Sequence, residues 1–431
     1  MKLSRLLQFL AVLLASLTPL LAAGAVSYET DVRPILKAHC FHCHGEEEEL
    51  GGGLDLRLKH LMLTGGDSGP AIVESQPDQS LLVEYLSTGL MPPEDVAVRP
   101  TEKEIATIIS WIAGGATIEG IEPVTIDRGF YITEQERQFW SFKPVIRPVL
   151  PTVIDSQLAR NPIDLFLLDK LEKAELTFSS QAEREVLIRR AYLDLTGLPP
   201  TPQAAQSFVA NDDPAAYEDL IDQLLAMPQY GERWGRHWLD AAGYADSEGQ
   251  ADADVERPWA YFYRDYVVKS FNQGKPYDQF IQEQLAGDEL IGSQIADMTA
   301  EQVEMLSGTG YLRMVADGTG SGTGDDEGRN AVVSDTLKMV TSSLTGLTVG
   351  CAQCHHHRYD PISQKDYYRI RAIFEPALNW KSWKAPQNRQ ISLYTQADRE
   401  AKASTEAKIK EIEAERVKKQ QEYIDATFEK E

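Results

Sequence analysis

One five-residue pattern occurs twice in the chain: Cys40-Phe41-His42-Cys43-His44 and Cys351-Ala352-Gln353-Cys354-His355. Both read C-x-x-C-H, and together they use all 4 cysteines. Four cysteines in an exported chain can form two disulfides, and a C-x-x-C pair can be a redox dithiol or half of a zinc site. None of these accounts for a histidine directly after each pair in a chain with only 8 histidines. The spacing suits c-type haem. Two thiols less than one helical turn apart can form thioethers with the two vinyl groups of one porphyrin, and the next imidazole meets the iron as proximal ligand. The pattern predicts one haem c at Cys40, Cys43 and His44, and a second at Cys351, Cys354 and His355.

The beginning of the chain agrees with that chemistry. Lys2 and Arg5 accompany a mostly apolar stretch, 6–21, and Ala23-Gly24-Ala25 fits a small-residue cleavage site. Residues 1–25 therefore read as a signal peptide. Gln8, Ser16, Thr18 and Pro19 interrupt the stretch, which makes it a poor membrane span. No other long apolar run occurs, so the mature chain is expected to have no membrane span and to be periplasmic or secreted. Covalent haem attachment takes place on that side of the bacterial inner membrane. The net charge of −24 argues against nucleic acid, whose phosphates need a basic footprint. It suits solubility, and it would steer a cationic redox partner protein.

The periodicity predicts a mainly α protein. Residues 26–119 read as a small helical domain. A helix runs from Ser27 through Val32, Ile35 and Leu36 into the first motif. The acidic run Glu46 to Glu49 and the triplet Gly51-Gly52-Gly53 belong on a solvated loop. A short helix at 80–87 precedes Met91-Pro92-Pro93. A closing helix at 102–113 aligns Ile105, Ile108, Ile109 and Ile112 and contains Trp111. Residues 120–160, with Pro123, Pro144, Pro148 and Pro151, read as a linker in which 139–142 forms a short strand or docks on a neighbour.

Residues 161–385 read as a larger all-helical domain. Asn161-Pro162 and Thr201-Pro202 each place a capping residue before a proline at the first helical position. Further helices are expected at 183–195, 217–227, 231–245, 258–271, 277–285, 332–346 and 364–374. The stretch 231–245 aligns Trp234, His237, Trp238 and Ala241, which directs His237 inward. His237 is thus a candidate distal ligand for the second iron, with Met339, Met314 and an open position as alternatives. The Gly/Ser/Thr run 318–324 reads as a flexible loop. Residues 386–431 are dense in Glu and Lys and predict an exposed helix or a coiled-coil arm with its own partner. No stop signal precedes Glu431, so the chain is expected to continue.

The stretch 26–119 resembles a small class I cytochrome c, on Cys40, Cys43, His44, Met91 before Pro92-Pro93, and the closing helix with Trp111. The resemblance implies that the Met91 sulfur is the distal ligand of the first iron, an arrangement that raises the reduction potential. A methionine directly before two prolines is ill placed for a core helix, which agrees. His60 is a second choice. His39 and His42 flank the thiols and cannot reach the far side of the same iron.

Almost the whole mature chain resembles the planctomycete cytochrome c domain proteins. The carrying segments include Asn161-Pro162-Ile163-Asp164, Leu193-Asp194-Leu195-Thr196-Gly197-Leu198-Pro199-Pro200, Tyr230-Gly231-Glu232-Arg233-Trp234 and 346–362. The resemblance implies secretion and an N-terminal cytochrome c domain. It also implies a larger cytochrome-like domain of unknown function, usually followed by another domain. One departure is His356, where the family usually has Asp. The resulting triplet His355-His356-His357 could recruit zinc or copper. Two functions compete. One is an exported, dihaem electron carrier. The other is an oxidoreductase acting on a carbohydrate or other small substrate, with Asp240, Asp246, Asp265 and Asp288 near Arg257, Trp259 and Tyr263 as acid/base candidates.

Overall fold

Helical periodicity governs the folded chain as it does the sequence. The computed structural model describes residues 26–47, 49–126, 129–249, 254–292, 296–320 and 326–428. The signal stretch 1–25 and residues 321–325, which include the end of the Gly/Ser/Thr run, lie outside the described residues. Among the described residues, β pairing is limited to two isolated bridges, Gly66 with Gly69 and Ser247 with Glu256. No described helix is long and apolar enough to cross a membrane. The chain divides into two compact units: Met1–Val145 with Cys351–Tyr368, and Ile146–Gly350 with Arg369–Glu431.

In the first unit a turn, Tyr28–Val32, runs into α1 (Arg33–His39). Tyr28, Val32 and Leu36 recur at helical spacing and are buried, so one stripe of this segment enters the core. Three more helices surround it: α2 (Lys59–Thr64), α3 (Leu81–Ser87) and α4 (Glu102–Ala113). The start of α4 is set by a reciprocal capping box between Thr101 and Glu104. Its Ile108, Trp111 and Ile112 are buried against Tyr28, Leu56, Met62 and Ile72. The Tyr28 and Trp111 rings lie 5.3 Å apart. Their polar tips are satisfied: the Tyr28 hydroxyl donates to the Arg57 carbonyl at 2.9 Å, and Trp111 Nε1 donates to the Thr117 carbonyl at 2.8 Å.

A one-turn helix, α5 (Glu134–Arg137), follows within the segment read as a linker. Its Glu136 reaches α1, 2.9 Å from Arg33 and 2.8 Å from Lys37. Residues 139–142 contain a 3-10 turn, Trp140–Phe142, and its aromatic rings are exposed.

The second unit holds α6 (Pro162–Lys173), α7 (Arg184–Thr196), α8 (Pro202–Val209), α9 (Ala216–Leu225) and α10 (Pro228–Ala242). It continues with α11 (Tyr261–Asn272), α12 (Tyr277–Leu290), α13 (Ala300–Gly308) and α14 (Asp326–Thr345). The last elements are the greater part of α15 (Gln364–Leu378) and α16 (Gln396–Phe428). Asn161 and Thr201 cap α6 and α8 through their side chains, each with Pro at the first helical position.

One core gathers Ile188, Phe208, Leu220 and Leu224 from α7, α8 and α9. A second gathers Ala242, Tyr263, Tyr266, Phe280, Tyr311 and Val340. Here α10 and α11 approach through glycine: a Cβ on Gly231 would stand 2.4 Å from the Val268 carbonyl oxygen. A buried ion pair, Lys275 with Glu283, is completed by the Tyr266 hydroxyl, which donates to Glu283 at 2.9 Å. The tail helix α16 is exposed from residue 400 to residue 427.

Candidate haem centre

The first motif follows the end of α1, where the Cys40 N–H closes on the Leu36 carbonyl. Cys40 lies half-buried and Cys43 is exposed, and both are free thiols. Burial, with a smaller contribution from Cys43, pushes the Cys40 thiol up to about 12. Cys43 is also raised, by burial and then by Glu47 and Asp95. Asp95 stands four positions beyond Met91, so the methionine loop runs within electrostatic reach of the motif.

His44 carries a buried ring nitrogen, Nδ1, with no hydrogen-bond partner. Such an orphan is costly unless another group completes it. A Cβ on Gly51 would lie 3.3 Å from the His44 ring, so glycine keeps space beside the imidazole. Gly45 has a similar role, because a Cβ there would meet Arg57 at 2.6 Å. Arg57 is in turn fixed by Asp55 and by the Gly129 carbonyl at 2.6 Å. The donor set of two adjacent thiols and a partnerless imidazole fits haem c.

Met91 is exposed, as are Leu90, Val96 and Val98 around it. Its N–H donates to the Tyr85 carbonyl at 3.1 Å at the end of α3. Arg99 clips the same loop, donating to the Gly89 carbonyl at 2.7 Å and the Pro93 carbonyl at 3.1 Å. His60 has Nδ1 2.9 Å from Glu122, and its Nε2 is buried without a hydrogen-bond partner. The other two histidines separate: His39 is turned inward, 3.5 Å from Glu104, while His42 is exposed and 3.2 Å from Glu47.

The second motif, at the end of the 3-10 turn Val349–Ala352, also belongs to the first unit. Cys351 and Cys354 are exposed free thiols, and His355 is exposed. His355 Nδ1 donates to the His356 carbonyl at 2.6 Å, which leaves Nε2 with the lone pair. The His355 ring lies 6.3 Å from the His42 ring of the first motif. His356 stacks on Phe130 at 4.5 Å and accepts from the Gln364 N–H. His357 is buried and its Nδ1 accepts from Tyr359 and Asp360 N–H groups. Burial lowers the pKa of both His356 and His357. The triplet therefore diverges, and no three-ligand metal cluster occurs among the described residues. Lys37 of α1 donates to the Tyr359 carbonyl at 3.2 Å and sits over the Phe130 ring. The sequence reading missed Lys37, Phe130 and Glu136, none of which carries a motif.

His237 lies on the other unit, and the structure corrects its expected direction. It is exposed on α10, edge-on to Trp234 at 5.5 Å. The inward face of that helix is instead Gly231, Gly235, Trp238 and Ala242, because the close approach of α11 selects the glycines. Trp238 Nε1 donates to Gln284 at 2.8 Å and Tyr263 at 3.0 Å. Met314 and Met339 pack in or against the same core. The four acid/base candidates are all exposed; Asp265 pairs with Arg264 and Asp246 accepts from Tyr244. Arg257 is tied to Glu248 at 2.6 Å, and Tyr263 is buried.

The model of the family Planctomycete cytochrome C matches residues 40–95. The molecule is thus a c-type cytochrome, and its small domain binds haem c. A second model, Protein of unknown function (DUF1549), matches residues 162–378, half of the chain. The chain belongs to the family that joins these two domains in this order. No curated protein and no solved structure matches it.

Proposed function

We propose that this chain is an exported dihaem cytochrome that carries electrons. The carrying observation is that the second C-x-x-C-H motif folds into the same unit as the first, with rings of the two motifs 6.3 Å apart. Haem c would be held by Cys40, Cys43 and His44 with Met91 as distal ligand, and again by Cys351, Cys354 and His355. The bound group supplies reversible one-electron chemistry; the polypeptide supplies orientation, axial ligands and a shell of low dielectric. Arg99 keeps the Met91 loop in place, Gly51 leaves room beside His44, and Gly45 leaves room for Arg57. The net charge of −24 favours encounter with a cationic redox partner. The exposed helix α16 offers a separate surface for a coiled-coil partner.

The test is mass spectrometry of the denatured protein after export through a host with haem-maturation machinery. The wild type should carry two covalent haems, and the double variant Cys351→Ala/Cys354→Ala one. A wild-type count of one refutes the dihaem reading.

A further inference from the structure

The distal ligand of the second iron is supplied by the first motif. Resting on the dihaem reading above, we infer that His42 is that ligand, so that Cys40-Phe41-His42-Cys43-His44 serves both haems. Two imidazoles on opposite sides of one metal, each with a metal–nitrogen bond of about 2 Å, place their ring centroids roughly 6 Å apart. The His42 and His355 centroids are 6.3 Å apart, with the rings tilted by 55°. His355 is oriented for this role by the hydrogen bond from Nδ1 to the His356 carbonyl, which directs Nε2 at the iron. His42 is exposed and pairs with the exposed carboxylate of Glu47, a contact that ligation displaces at little cost.

The other histidines are placed elsewhere. His39 is turned inward beside Glu104, and His60, whose Nδ1 bonds Glu122, has its remaining nitrogen Nε2 buried inside the protein. His356 and His357 use Nδ1 to accept backbone N–H groups of their own loop. They also adjoin His355 in sequence, on the proximal side. His237 belongs to the other unit. His42 cannot reach its own motif's iron, for it lies between the two thiols of that haem. It can reach its neighbour's. The consequence is a short covalent route between the two centres, through Cys43 and His42.

The test uses the full chain carrying its haems. Electron paramagnetic resonance and near-infrared magnetic circular dichroism of the oxidised wild type should show one bis-imidazole low-spin centre for each His/Met centre. In His42→Ala the covalent haem count should stay at two while the bis-imidazole signal is lost. One haem should become high-spin, the reduced variant should bind one carbon monoxide per chain, and added imidazole should restore the low-spin signal. His42 is exposed, so its truncation leaves the core intact. A wild type without a bis-imidazole centre, or a His42→Ala variant that keeps one, overturns the assignment. A wild type with a single haem instead overturns the dihaem reading beneath it.

Discussion

Replacing Glu136 by Gln should cost the first unit about 3 kcal/mol. Glu136 sits 2.9 Å from Arg33 and 2.8 Å from Lys37, and the side chains of those two cations are only 8% and 4% exposed. Burial opposes the charge on Glu136, but Arg33 and Lys37 outweigh it and hold the carboxyl below the usual range. Gln keeps the shape and leaves two cations buried without their counter-charge. Removing one partner of a buried pair costs roughly 3–5 kcal/mol, and the lower end applies because Glu136 is 17% exposed. Such a loss changes the local folding equilibrium by about two orders of magnitude.

The assay is guanidinium unfolding of the haem-loaded protein, followed by Soret absorbance, which reports the first unit. The midpoint should fall at unchanged slope. The acid dependence gives a second reading. The carboxyl is depressed in the folded state, so its contribution is complete above the unfolded pKa. It is lost as pH falls through the lower, folded value. Wild type should therefore lose stability below the usual carboxylate range, and Glu136→Gln should lack that part of the acid limb. Equal midpoints together with superimposable acid limbs would refute the reasoning.

Two further substitutions address the distal side and the second unit. Met91→Ala should lower the potential of the first haem and abolish its sulfur-to-iron charge-transfer band, read by spectroelectrochemistry; an unchanged band removes Met91 from the ligand set. Gly231→Ala would drive a methyl group to 2.4 Å from the Val268 carbonyl oxygen, so the α10–α11 contact must open. The expected loss is about 1–3 kcal/mol in thermal melts followed by far-ultraviolet circular dichroism, with the haem spectrum unaltered, and an unshifted melt contradicts it.

Local chemistry was legible in the sequence, and long-range chemistry was not. The caps at Asn161 and Thr201 form as read, since each is settled within four residues. The closing helix buries Ile108 and Ile112 as its spacing requires. The face of α10 was misread because aromatic residues outweigh glycine in any hydrophobic pattern, whereas the approach of α11 needs glycine. Glu136 lay in a proline-rich stretch without periodicity, and nothing in such a stretch announces a carboxylate that docks on a distant helix.

The position of the second motif shows the same division inside one segment. Its loop is held by its own bonds: the His357 N–H donates to the Ile362 carbonyl at 2.8 Å, and Ser363 donates to Asp366 at 2.6 Å. Gln364 also reaches back to the Gln353 carbonyl at 3.1 Å. A segment shaped by such short-range bonds needs few contacts to dock, and little entropy remains to be lost when it does. Those contacts are single residues: Lys37 on the Tyr359 carbonyl, Phe130 on His356, His42 beside His355. The first pair is separated by 322 positions, a span over which no periodic pattern operates. The family-model match places the motif at 351–355 within its 162–378 stretch, while packing assigns Cys351–Tyr368 to the unit built around the first motif. The matched family domain and the folded unit therefore differ at the segment where the second haem would bind.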